Sequence, residues 1–309
     1  MFCRSESSIL QKKGYVLGPE LGQGSYAVVK SATWQKPGST DPLKVALKII
    51  NGPQVPQDFK DKFLPRELDI VKILNHDNVI RTMEIFTGGR KTYLSLEFAG
   101  RGDMLGYIQM RGALEEKESA TLFKQLVNGV GYLHANGVVH RDLKCENVLL
   151  SNRNRIKVAD FGFSRKMSLR DLSMTFCGSA AYAAPEILQG IPYRGPAADL
   201  WSMGVILFVM NCAIMPFRDN SMKTLLLDQK LPLRYTDKLD KSLTDKAKEI
   251  MQGLLVFDAD KRLRMHDVAV HSWLKQAVKP DSAADSAPSK IEKLPSSTGN
   301  EATNSETNK

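Results

Sequence analysis

Apolar and polar positions alternate in short runs along the first hundred residues. Three runs rich in β-branched and aromatic residues lie at 15–24, 26–34 and 43–50, and two more lie at 79–89 and 91–99. The Pro/Gly/Ser segment KPGSTDP between the second and third runs is typical of a hairpin loop. The pattern therefore predicts a sheet-rich unit of five strands.

A helical period appears between the third and fourth runs. In segment 59–75 the apolar residues of one helix face recur every three or four positions: Phe63, Leu64, Leu68, Val71 and Leu74. After Gly102 the chain changes to long amphipathic helical runs, such as 117–137. We therefore expect a sheet-rich lobe, a helix-rich lobe after it, and a ligand site in the cleft between them.

Segment 200–217 is nearly uncharged and is long enough to raise the alternative of a membrane span. Asn211, Pro216 and the preceding Asp199 disfavour a span. A helix that is apolar on all sides also suits the centre of a large globular lobe. We interpret the segment as a buried helix and expect no membrane association.

The two ends of the chain are polar. Residues 1–14 form a polar leader, with charges where a signal peptide needs its apolar stretch and no glycine after Met1 for myristoylation. Residues 275–309 are dominated by Ser, Ala, Pro, Thr and Asn. Because that segment has almost no large apolar side chains to offset its ordering entropy, it predicts a disordered tail.

Composition limits the function classes. With 309 residues and 42% hydrophobic content, the chain can bury a substantial core. The formal charge of +9 brings acidic partners into consideration, but the basic residues are scattered, which disfavours a nucleic-acid arm. Four cysteines without a C-x-x-C pair favour reduced thiols and predict a cytoplasmic location. They are Cys3, Cys145, Cys177 and Cys212.

The segment from Gly22 to Val29 lies between the first two predicted strands and contains Gly24. Glycines let the backbone approach phosphate oxygens and offer N–H donors without a Cβ in the way. An ordinary hairpin fits this segment about as well, since Ala27 replaces the third glycine of the phosphate-binding pattern. A Rossmann loop is disfavoured because a strand, not a helix, follows.

Lys48 ends the sequence VALK on the third predicted strand. A lysine in an apolar strand is usually an edge residue that points to solvent. Here it follows a glycine loop and precedes Glu67 on the amphipathic helix. This arrangement predicts a Lys48–Glu67 ion pair, with the ammonium facing the α- and β-phosphates of a nucleotide.

The sequence HRDLKCEN at 140–147 matches H-R-D-L-x-x-x-N at every fixed position, and the tripeptide DFG follows at Asp160. Phosphoryl transfer requires positioning and charge neutralisation rather than covalent chemistry. Asp142 is suited to accept or orient the proton of a substrate hydroxyl, and Lys144 to balance charge on the migrating group. Asn147 and Asp160 supply the hard oxygen ligands that magnesium prefers.

These motifs, with the tripeptide APE after them, have the order and spacing of eukaryotic protein kinases, and the chain resembles that family over residues 15–274. The resemblance implies an α+β bilobal fold. A small lobe and hinge at 15–99 would hold a five-stranded antiparallel sheet plus helix C, and a mainly α-helical lobe would span 100–274. It also implies that Arg262 pairs with Glu186.

The resemblance further implies ATP and magnesium as cofactors. The implied catalytic residues are Lys48, Glu67, Asp142 and Lys144, and the implied metal ligands are Asn147 and Asp160. In the implied nucleotide site Leu96 is the gatekeeper, the hinge runs from Glu97 to Ala99, and three residues sandwich the adenine. Val29, Ala46 and Leu149 form this sandwich. The full implied nucleotide site consists of Leu21, Gly22, Gln23, Gly24, Ser25, Tyr26, Ala27, Val28, Val29, Ala46, Lys48, Leu96, Glu97, Ala99, Asp103 and Leu149.

Lys144 after Asp-Leu, and Ser179 in GSAAYAAPE, resemble serine/threonine rather than tyrosine kinases. FLPREL, HRDLKCEN, DFGFSR and TFCGSAAYAAPEILQGIPY are similar to the testis-specific serine/threonine kinases of the calcium/calmodulin-kinase-like group. A kinase related to the AMP-activated group is the nearest alternative, disfavoured because the regulatory domains that follow the catalytic domain there have no counterpart here. The resemblance implies protein substrates, an upstream activating kinase, a chaperone, a monomeric state, and a role in spermatogenesis and differentiation.

Two finer expectations concern regulation and specificity. Arg141 precedes the catalytic aspartate, and kinases of that kind often need an activation-loop phosphate, which the resemblance places at Thr175. Asp103 and Glu146 lie where related kinases place carboxylates that face a basic residue, so we expect a preference for arginine three residues before the acceptor. The alternative for Asp103 is a hydrogen bond to the ATP ribose. Val209 is apolar where some strongly basophilic relatives have an acid, which indicates a modest preference.

Three competing interpretations stay open. A pseudokinase scaffold usually lacks one of the key polar residues, all of which are present here. A small-molecule kinase of the same fold is disfavoured by APE and the peptide-binding loop before it. Cys145 and Cys177 flank the cleft, where a redox role competes with that of small structural thiols.

Overall fold

Five antiparallel strands form the sheet of the N-terminal lobe in a computed structural model, which describes residues 4–24, 26–57, 59–168, 171–174 and 178–278. The five predicted strands are confirmed, with ends that differ by a few residues. They are β1 (Tyr15–Gln23), β2 (Ala27–Trp34), β3 (Leu43–Asn51), β4 (Thr82–Gly88) and β5 (Lys91–Glu97). The spatial order is β1-β2-β3-β5-β4, with every neighbouring pair antiparallel.

The side chains of β3 alternate between the two faces of this sheet. Val45, Leu47 and Ile49 are buried in an apolar cluster on the outer face. Because successive side chains of a strand point to opposite faces, Ala46 and Lys48 lie on the other face, toward the second lobe. The alternation in VALK thus places one lysine at the cleft.

The polar leader forms a helix, α1 (Arg4–Lys12), that the sequence analysis did not predict. Leu10 is buried in the outer-face cluster, and the indole N–H of Trp34 donates to the Lys13 carbonyl at 3.2 Å. Tyr15 stacks on Trp34 with 5.4 Å between ring centroids. The apolar residues at the end of α1 therefore cover the sheet face that points away from the cleft.

The helix predicted at 59–75 has two parts. A π-helical turn, Phe59–Phe63, leads into the α-helix α2 (Leu64–Val71), which is the helix C implied by the resemblance. Pro65 at the start of α2 lacks an N–H and cannot continue a regular ladder from the preceding turn. The predicted apolar face packs into the main core, where Val71 and Leu74 are buried.

The C-terminal lobe is mainly helical. Short two-stranded pairs join β6 to β9, β7 to β8, and β10 to β11. These strands are β6 (Val138–Val139), β7 (Val148–Leu150), β8 (Ile156–Val158), β9 (Arg165–Lys166), β10 (Leu172–Ser173) and β11 (Tyr193–Arg194). The helices are α3 (Met104–Arg111), α4 (Glu116–Ala135), α5 (Pro185–Leu188), α6 (Gly195–Cys212), α7 (Met222–Asp228), α8 (Asp237–Ser242), α9 (Asp245–Leu254) and α10 (Met265–Ala269).

Helix α6 contains most of the apolar segment that raised the alternative of a membrane span. By length and composition it passes as a candidate span, but 83% of it is buried inside the protein. Its left-handed C-cap, Ala213, ends the helix before Pro216. The interpretation as a buried central helix is therefore confirmed.

The implied pair between Arg262 and Glu186 is confirmed. Two parallel hydrogen bonds of 2.9 and 3.0 Å join the guanidinium to the carboxylate, and both side chains are nearly inaccessible to solvent. The guanidinium also donates to the Ala197 carbonyl and lies over the Trp201 ring. This pair joins the APE segment to the C-terminal part of the lobe.

The described chain ends at Val278, whose N–H donates to the Thr121 hydroxyl at 3.0 Å. Residues 275–278, predicted as the start of the disordered tail, are thus described, and 275–276 close the 3-10 segment Ser272–Gln276. The buried side chains of Trp273 and Leu274 anchor this segment to the core. Residues 279–309, where the rest of the tail is predicted, lie outside the described residues.

The two lobes meet through the residues before β4 and through β8. The N–H of Ile80 donates to the Val158 carbonyl and the N–H of Val158 donates to the Asn78 carbonyl, both at 2.9 Å. Chain segment 98–103 connects β5 to α3 and forms the second link. A five-stranded sheet lobe above a helical lobe is the predicted bilobal fold, which is confirmed.

Candidate active site

Lys48 forms the predicted ion pair with Glu67. Its Nζ lies 2.6 Å from Glu67 Oε1 and 3.0 Å from Asp160 Oδ1. Burial alone lowers the pKa of Lys48, but the two neighbouring carboxylates outweigh burial and hold this pKa above its usual value. The lysine is therefore a fixed positive charge, positioned by helix α2 on one side and by the DFG segment on the other.

Asp160 has the left-handed backbone conformation, with φ of +62°. The Lys48 ammonium lowers the pKa of Asp160 to about 2, against the opposing effect of burial. The next residue, Phe161, is buried, and its ring lies 5.4 Å from the imidazole of His140. Packing of Phe161 into the core thus directs the ionised Asp160 carboxylate toward Lys48.

The HRDLKCEN segment at 140–147, here called the catalytic loop, is fixed by Asp199 in the first turns of α6. The buried Asp199 carboxylate accepts the backbone N–H groups of His140 and Arg141 at 2.9 and 2.8 Å. It also contacts His134 Nε2 at 2.8 Å. Arg141 has φ of +66°, a conformation that is costly for a residue other than glycine, and these bonds hold it there.

Asp142 lies at the centre of a compact polar cluster. Its Oδ2 is 3.2 Å from both the Lys144 ammonium and the Asn147 side-chain nitrogen. The same Asn147 nitrogen donates to the Asp142 carbonyl at 2.8 Å, which orients the Asn147 amide and leaves its oxygen as the ligand-type atom. The residues predicted from HRDLKCEN are thus brought together.

Ser179 completes this cluster from the segment before APE. Its N–H donates to Asp142 Oδ1 at 3.1 Å, and its hydroxyl accepts from Lys144 Nζ at 3.1 Å. Gly178 before it has φ of +91°, and an added Cβ there would lie 2.8 Å from the Arg141 carbonyl oxygen. The sequence analysis used Ser179 to indicate the hydroxyl class and missed this contact, for which GS before the APE motif is a usable signal.

The predicted apolar residues of the nucleotide site lie on strands of both lobes. Ala46 pairs with Leu96 across β3 and β5, and all the sandwich residues are partly buried. Leu149 forms an isolated bridge with Asp103, which places the large-lobe wall of the site next to that carboxylate. The predicted sandwich residues thus lie on both sides of the cleft below the hinge.

The glycine-rich loop passes a simple test for phosphate binding. A Cβ added at Gly22 would meet no described atom within 4 Å, and one at Gly24 would meet Ala27 O at an ordinary 3.7 Å. Packing within the protein therefore does not require glycine at either position, whereas close approach of a phosphate does. Ser25, predicted in the same loop, lies outside the described residues.

The site also fits magnesium in the way that phosphate substrates use it. Among the described residues, no group of three His, Cys, Asp or Glu side chains could hold a metal by itself. Magnesium bound to a nucleotide needs one or two protein ligands, because phosphate oxygens and water supply the rest. The Asp160 carboxylate and the Asn147 amide oxygen satisfy that requirement.

The hinge residue Glu97 has a partner that the sequence analysis missed. Its Oε1 lies 2.7 Å from the ammonium of Lys157 on β8, and its Oε2 accepts the N–H of Arg81 at 3.3 Å. A lysine inside the apolar run of β8 is a signal, since a buried lysine needs an anionic partner. This pair ties the hinge to the strand that precedes the DFG segment.

Five further predicted positions remain, and the three that the structure describes are less closely tied to the cluster. Asp103 is the N-cap of α3 and accepts the Gly106 N–H at 2.8 Å, while Glu146 is exposed. Burial raises the pKa of Cys145 to about 12, which favours the structural interpretation of this thiol over a redox role. Thr175 and Cys177 lie outside the described residues.

Comparison with known proteins gives the family. Residues 15–274 match the protein kinase domain family. The chain is 46% identical to mouse testis-specific serine/threonine-protein kinase 2 over 279 residues, which cover 87% of this chain and 76% of that protein. It is 42% identical to mouse testis-specific serine/threonine-protein kinase 3, with 86% and 97% covered.

A relative outside the testis-specific kinases is less similar to this chain than those two proteins. Mouse NUAK family SNF1-like kinase 1 is 36% identical over 268 residues, which cover 87% of this chain but 40% of that protein. The higher identities to the testis-specific kinases favour that family over a kinase related to the AMP-activated group. This chain belongs to the protein kinases and, within them, to the family of the testis-specific serine/threonine kinases.

Proposed function

We propose that the chain transfers the γ-phosphoryl group of ATP, with magnesium, to serine or threonine hydroxyls of protein substrates, and that the predicted site residues have the roles described below. The observation that carries the proposal is the position of Lys48, held between Glu67 and Asp160 at hydrogen-bond distance from both. The family supports serine/threonine kinase activity in general terms.

Asp142 and Lys144 act on the acceptor side. Asp142 orients the substrate hydroxyl and accepts its proton, for which its buried carboxylate, fixed by Ser179 and Asn147, is suited. Lys144 neutralises charge on the group in transfer, and its ammonium already lies 3.2 Å from Asp142. Both residues lie on one rigid loop, so their positions need no rearrangement during the reaction.

Lys48, Asn147 and Asp160 act on the nucleotide side. Lys48 contacts the α- and β-phosphates, with Glu67 setting its position through α2. Asp160 and Asn147 hold magnesium, and Asp160 is ionised over the whole physiological pH range. When bound, magnesium would offset the negative charge of the phosphate oxygens.

The adenine binds between the two lobes. Val29 and Ala46 on the sheet and Leu149 on β7 form the apolar sandwich, with Leu96 behind it. The backbone of Glu97 to Ala99 meets the adenine edge. The loop residues from Leu21 to Val28 cover the phosphates, which is supported by the space at Gly22 and Gly24.

The test is transfer of radiolabelled phosphate from ATP to a generic basic protein, with Asp142→Asn as the inactive control. We expect label in the substrate with wild-type protein and a loss of at least about a hundredfold with Asp142→Asn. The pseudokinase scaffold is the competing interpretation. Equal, background-level labelling by the two proteins would establish it and overturn the proposal.

Activation by phosphorylation at Thr175 is part of the proposal. Its support is the arginine before Asp142: Arg141 is buried, and its Nε donates to the Phe163 carbonyl at 2.8 Å, next to the DFG segment. A phosphate on the loop offers an anionic partner for this cation. Thr175→Ala should lower turnover of purified protein at least tenfold, and unchanged turnover would contradict this role.

A preference for arginine three residues before the acceptor is also proposed. Exposed Glu146 and the cleft residue Asp103 supply the negative charge, and the alternative role of Asp103, binding the ATP ribose, is tested at the same time. If Asp103 contacts the substrate arginine, Asp103→Asn should weaken the arginine preference that the kinase shows on a peptide array. If Asp103 binds the ribose, the variant should raise the KM for ATP and leave the preference unchanged.

The biological part of the proposal rests on the family. The relatives are testis-specific kinases by name, which supports a role in spermatogenesis and differentiation. We further propose a cytoplasmic monomer that depends on an upstream activating kinase and a chaperone. Imaging of the tagged chain in spermatids and light scattering of the purified protein test the location and the monomeric state.

A further inference from the structure

Four aromatic rings form a continuous chain across the upper part of the cleft. The ring of Tyr26 lies 5.1 Å from Phe59, Phe59 lies 5.8 Å from Phe63, and Phe63 lies 6.4 Å from Phe163, all between centroids. The last contact is edge-to-face, with 76° between the ring planes. Each separation is within the range in which aromatic pairs attract each other.

The four rings belong to three elements that carry different parts of the candidate active site. Tyr26 ends the glycine-rich loop, and Phe59 and Phe63 begin and end the π-helical turn that leads into α2. Phe163 lies three residues after Asp160. The chain therefore runs from the element over the phosphates, through helix C, to the segment that carries a metal ligand.

Backbone contacts connect these rings to the catalytic groups. Phe63 precedes Glu67 by four residues, one turn of the helix, and Glu67 holds Lys48 at 2.6 Å. The carbonyl of Phe163 accepts the Arg141 guanidinium N–H at 2.8 Å, next to Asp142. A shift of Phe63 is thus passed to Glu67 through one helical turn. A shift of Phe163 is passed to Arg141 through this hydrogen bond.

The exposure of the rings argues against a purely structural role. Phe163 is 38% exposed, and Tyr26, Phe59 and Phe63 are only partly buried at the edge of the main core. Rings in such positions add little to global stability compared with the buried core, yet here they maintain contact across three separate elements. The intervening π-helical turn is itself a feature often associated with functional sites.

We propose that Tyr26, Phe59, Phe63 and Phe163 are positioning residues that couple the glycine-rich loop to Glu67 and to Asp160. Through the ring contacts, the position of Tyr26 is linked to those of helix α2 and the DFG segment. The inference rests on the proposed kinase function. It adds Phe59, Phe63 and Phe163, which have no place in the proposed nucleotide or metal site, as residues that set the geometry of the groups that do.

A double-mutant cycle between the two terminal rings tests this coupling, because Tyr26 and Phe163 are joined through the two middle rings. Leucine keeps apolar volume and removes the ring, so we use Tyr26→Leu, Phe163→Leu and the double variant. Each single variant should lower kcat/KM for ATP about fivefold, the size of one ring contact. The double variant should lose about as much as one single variant, not the product of the two.

Three comparisons make the result specific. Phe63→Leu should abolish the coupling between the terminal rings, and Phe63→Tyr, which keeps the ring, should recover most of the loss. Phe257→Leu is the matched control: that ring lies in the large lobe beneath the Lys230 ammonium and should leave kcat/KM within twofold. Thermal midpoints report folding, and if Phe163→Leu does not fold, Phe63→Leu replaces it in the cycle.

The outcomes separate the inference from the proposed function. Wild-type protein that transfers no phosphate overturns the proposed function itself. Activity in the wild type with multiplicative losses in the double variant, or with single variants indistinguishable from wild type, overturns the coupling alone. Non-multiplicative losses that disappear in the Phe63→Leu background establish it.

Discussion

The ammonium of Lys144 lies 3.1 Å from the hydroxyl oxygen of Ser179, although 35 residues separate them in the chain. The N–H of Ser179 also donates to Asp142 at 3.1 Å. One serine thus orients both charged groups that we place on the acceptor side of the reaction. The segment before APE is therefore an integral part of the catalytic loop's geometry.

Replacement of Ser179 by alanine should lower kcat while leaving the KM for ATP nearly unchanged. The variant keeps the backbone bond to Asp142 and loses the hydroxyl that accepts from Lys144. A hydrogen bond to a charged group contributes about 1.5 to 3 kcal/mol, so we expect a loss of roughly tenfold or more. Steady-state kinetics with Ser179→Thr, which keeps the hydroxyl, provide the control, and an unchanged kcat for Ser179→Ala would contradict the role.

Replacement of Glu67 by glutamine should reduce kcat/KM for ATP about tenfold to a hundredfold. The variant removes the charge that positions Lys48 and helps hold its pKa above the usual value. Glu118→Gln is a matched control, because Glu118 pairs with the half-exposed Arg111 at 2.9 Å and solvated pairs of this kind contribute little. Equal kinetics for the two variants would show that the Lys48–Glu67 pair is not part of the machinery.

Replacement of Arg262 by alanine should destabilise the protein by about 3 to 5 kcal/mol, because it leaves the Glu186 carboxylate buried without its partner. Urea unfolding measures the change in the free energy of unfolding. The exposed pair of Arg194 and Asp260, tested with Arg194→Ala, should change stability by less than about 1 kcal/mol. A loss for Arg262→Ala no larger than that of Arg194→Ala would refute a structural role for the buried pair.

Cys145 should resist alkylation in the native protein at pH 8. Burial raises its pKa to about 12, so the group stays protonated below that pH, and the thiolate is the form that reacts. Mass spectrometry after iodoacetamide treatment should find Cys145 modified in urea-unfolded protein and unmodified in native protein. Rapid labelling of the native protein would instead support a redox role.

Motif spacing predicted which polar residues lie together, and the apolar pattern gave the elements that carry Lys48 and Glu67. The alternation around Lys48 predicted the sheet face on which Lys48 lies, and the helical period predicted the helix that carries Glu67. Their ion pair followed from these two placements. A lysine in the apolar run of β8 and GS before APE signal that Lys157 and Ser179 have partners. These signals do not identify Glu97 and Lys144 as the partners, since the contacts depend on how the segments pack in three dimensions.

Other features could not be read from local pattern for identifiable reasons. Helix α1 depends on the outer-face cluster around Leu10, which forms only when the sheet is assembled. The π-helical turn at Phe59–Phe63 keeps the apolar spacing of an α-helix, so periodicity does not distinguish the two. The ring chain from Tyr26 to Phe163 joins residues far apart in sequence, each of which alone reads as an ordinary partly buried aromatic residue.

The most direct test of the account is phosphate transfer by Asp160→Asn, since Asp160 contacts Lys48 and is the proposed anionic magnesium ligand. At saturating ATP and magnesium, with radiolabelled ATP and a basic peptide, we expect a loss of about a thousandfold relative to wild type. Asp260→Asn, which removes an exposed partner of Arg194, should retain full activity. Activity of Asp160→Asn within tenfold of wild type would contradict the convergence of Lys48, Asn147 and Asp160 on one nucleotide.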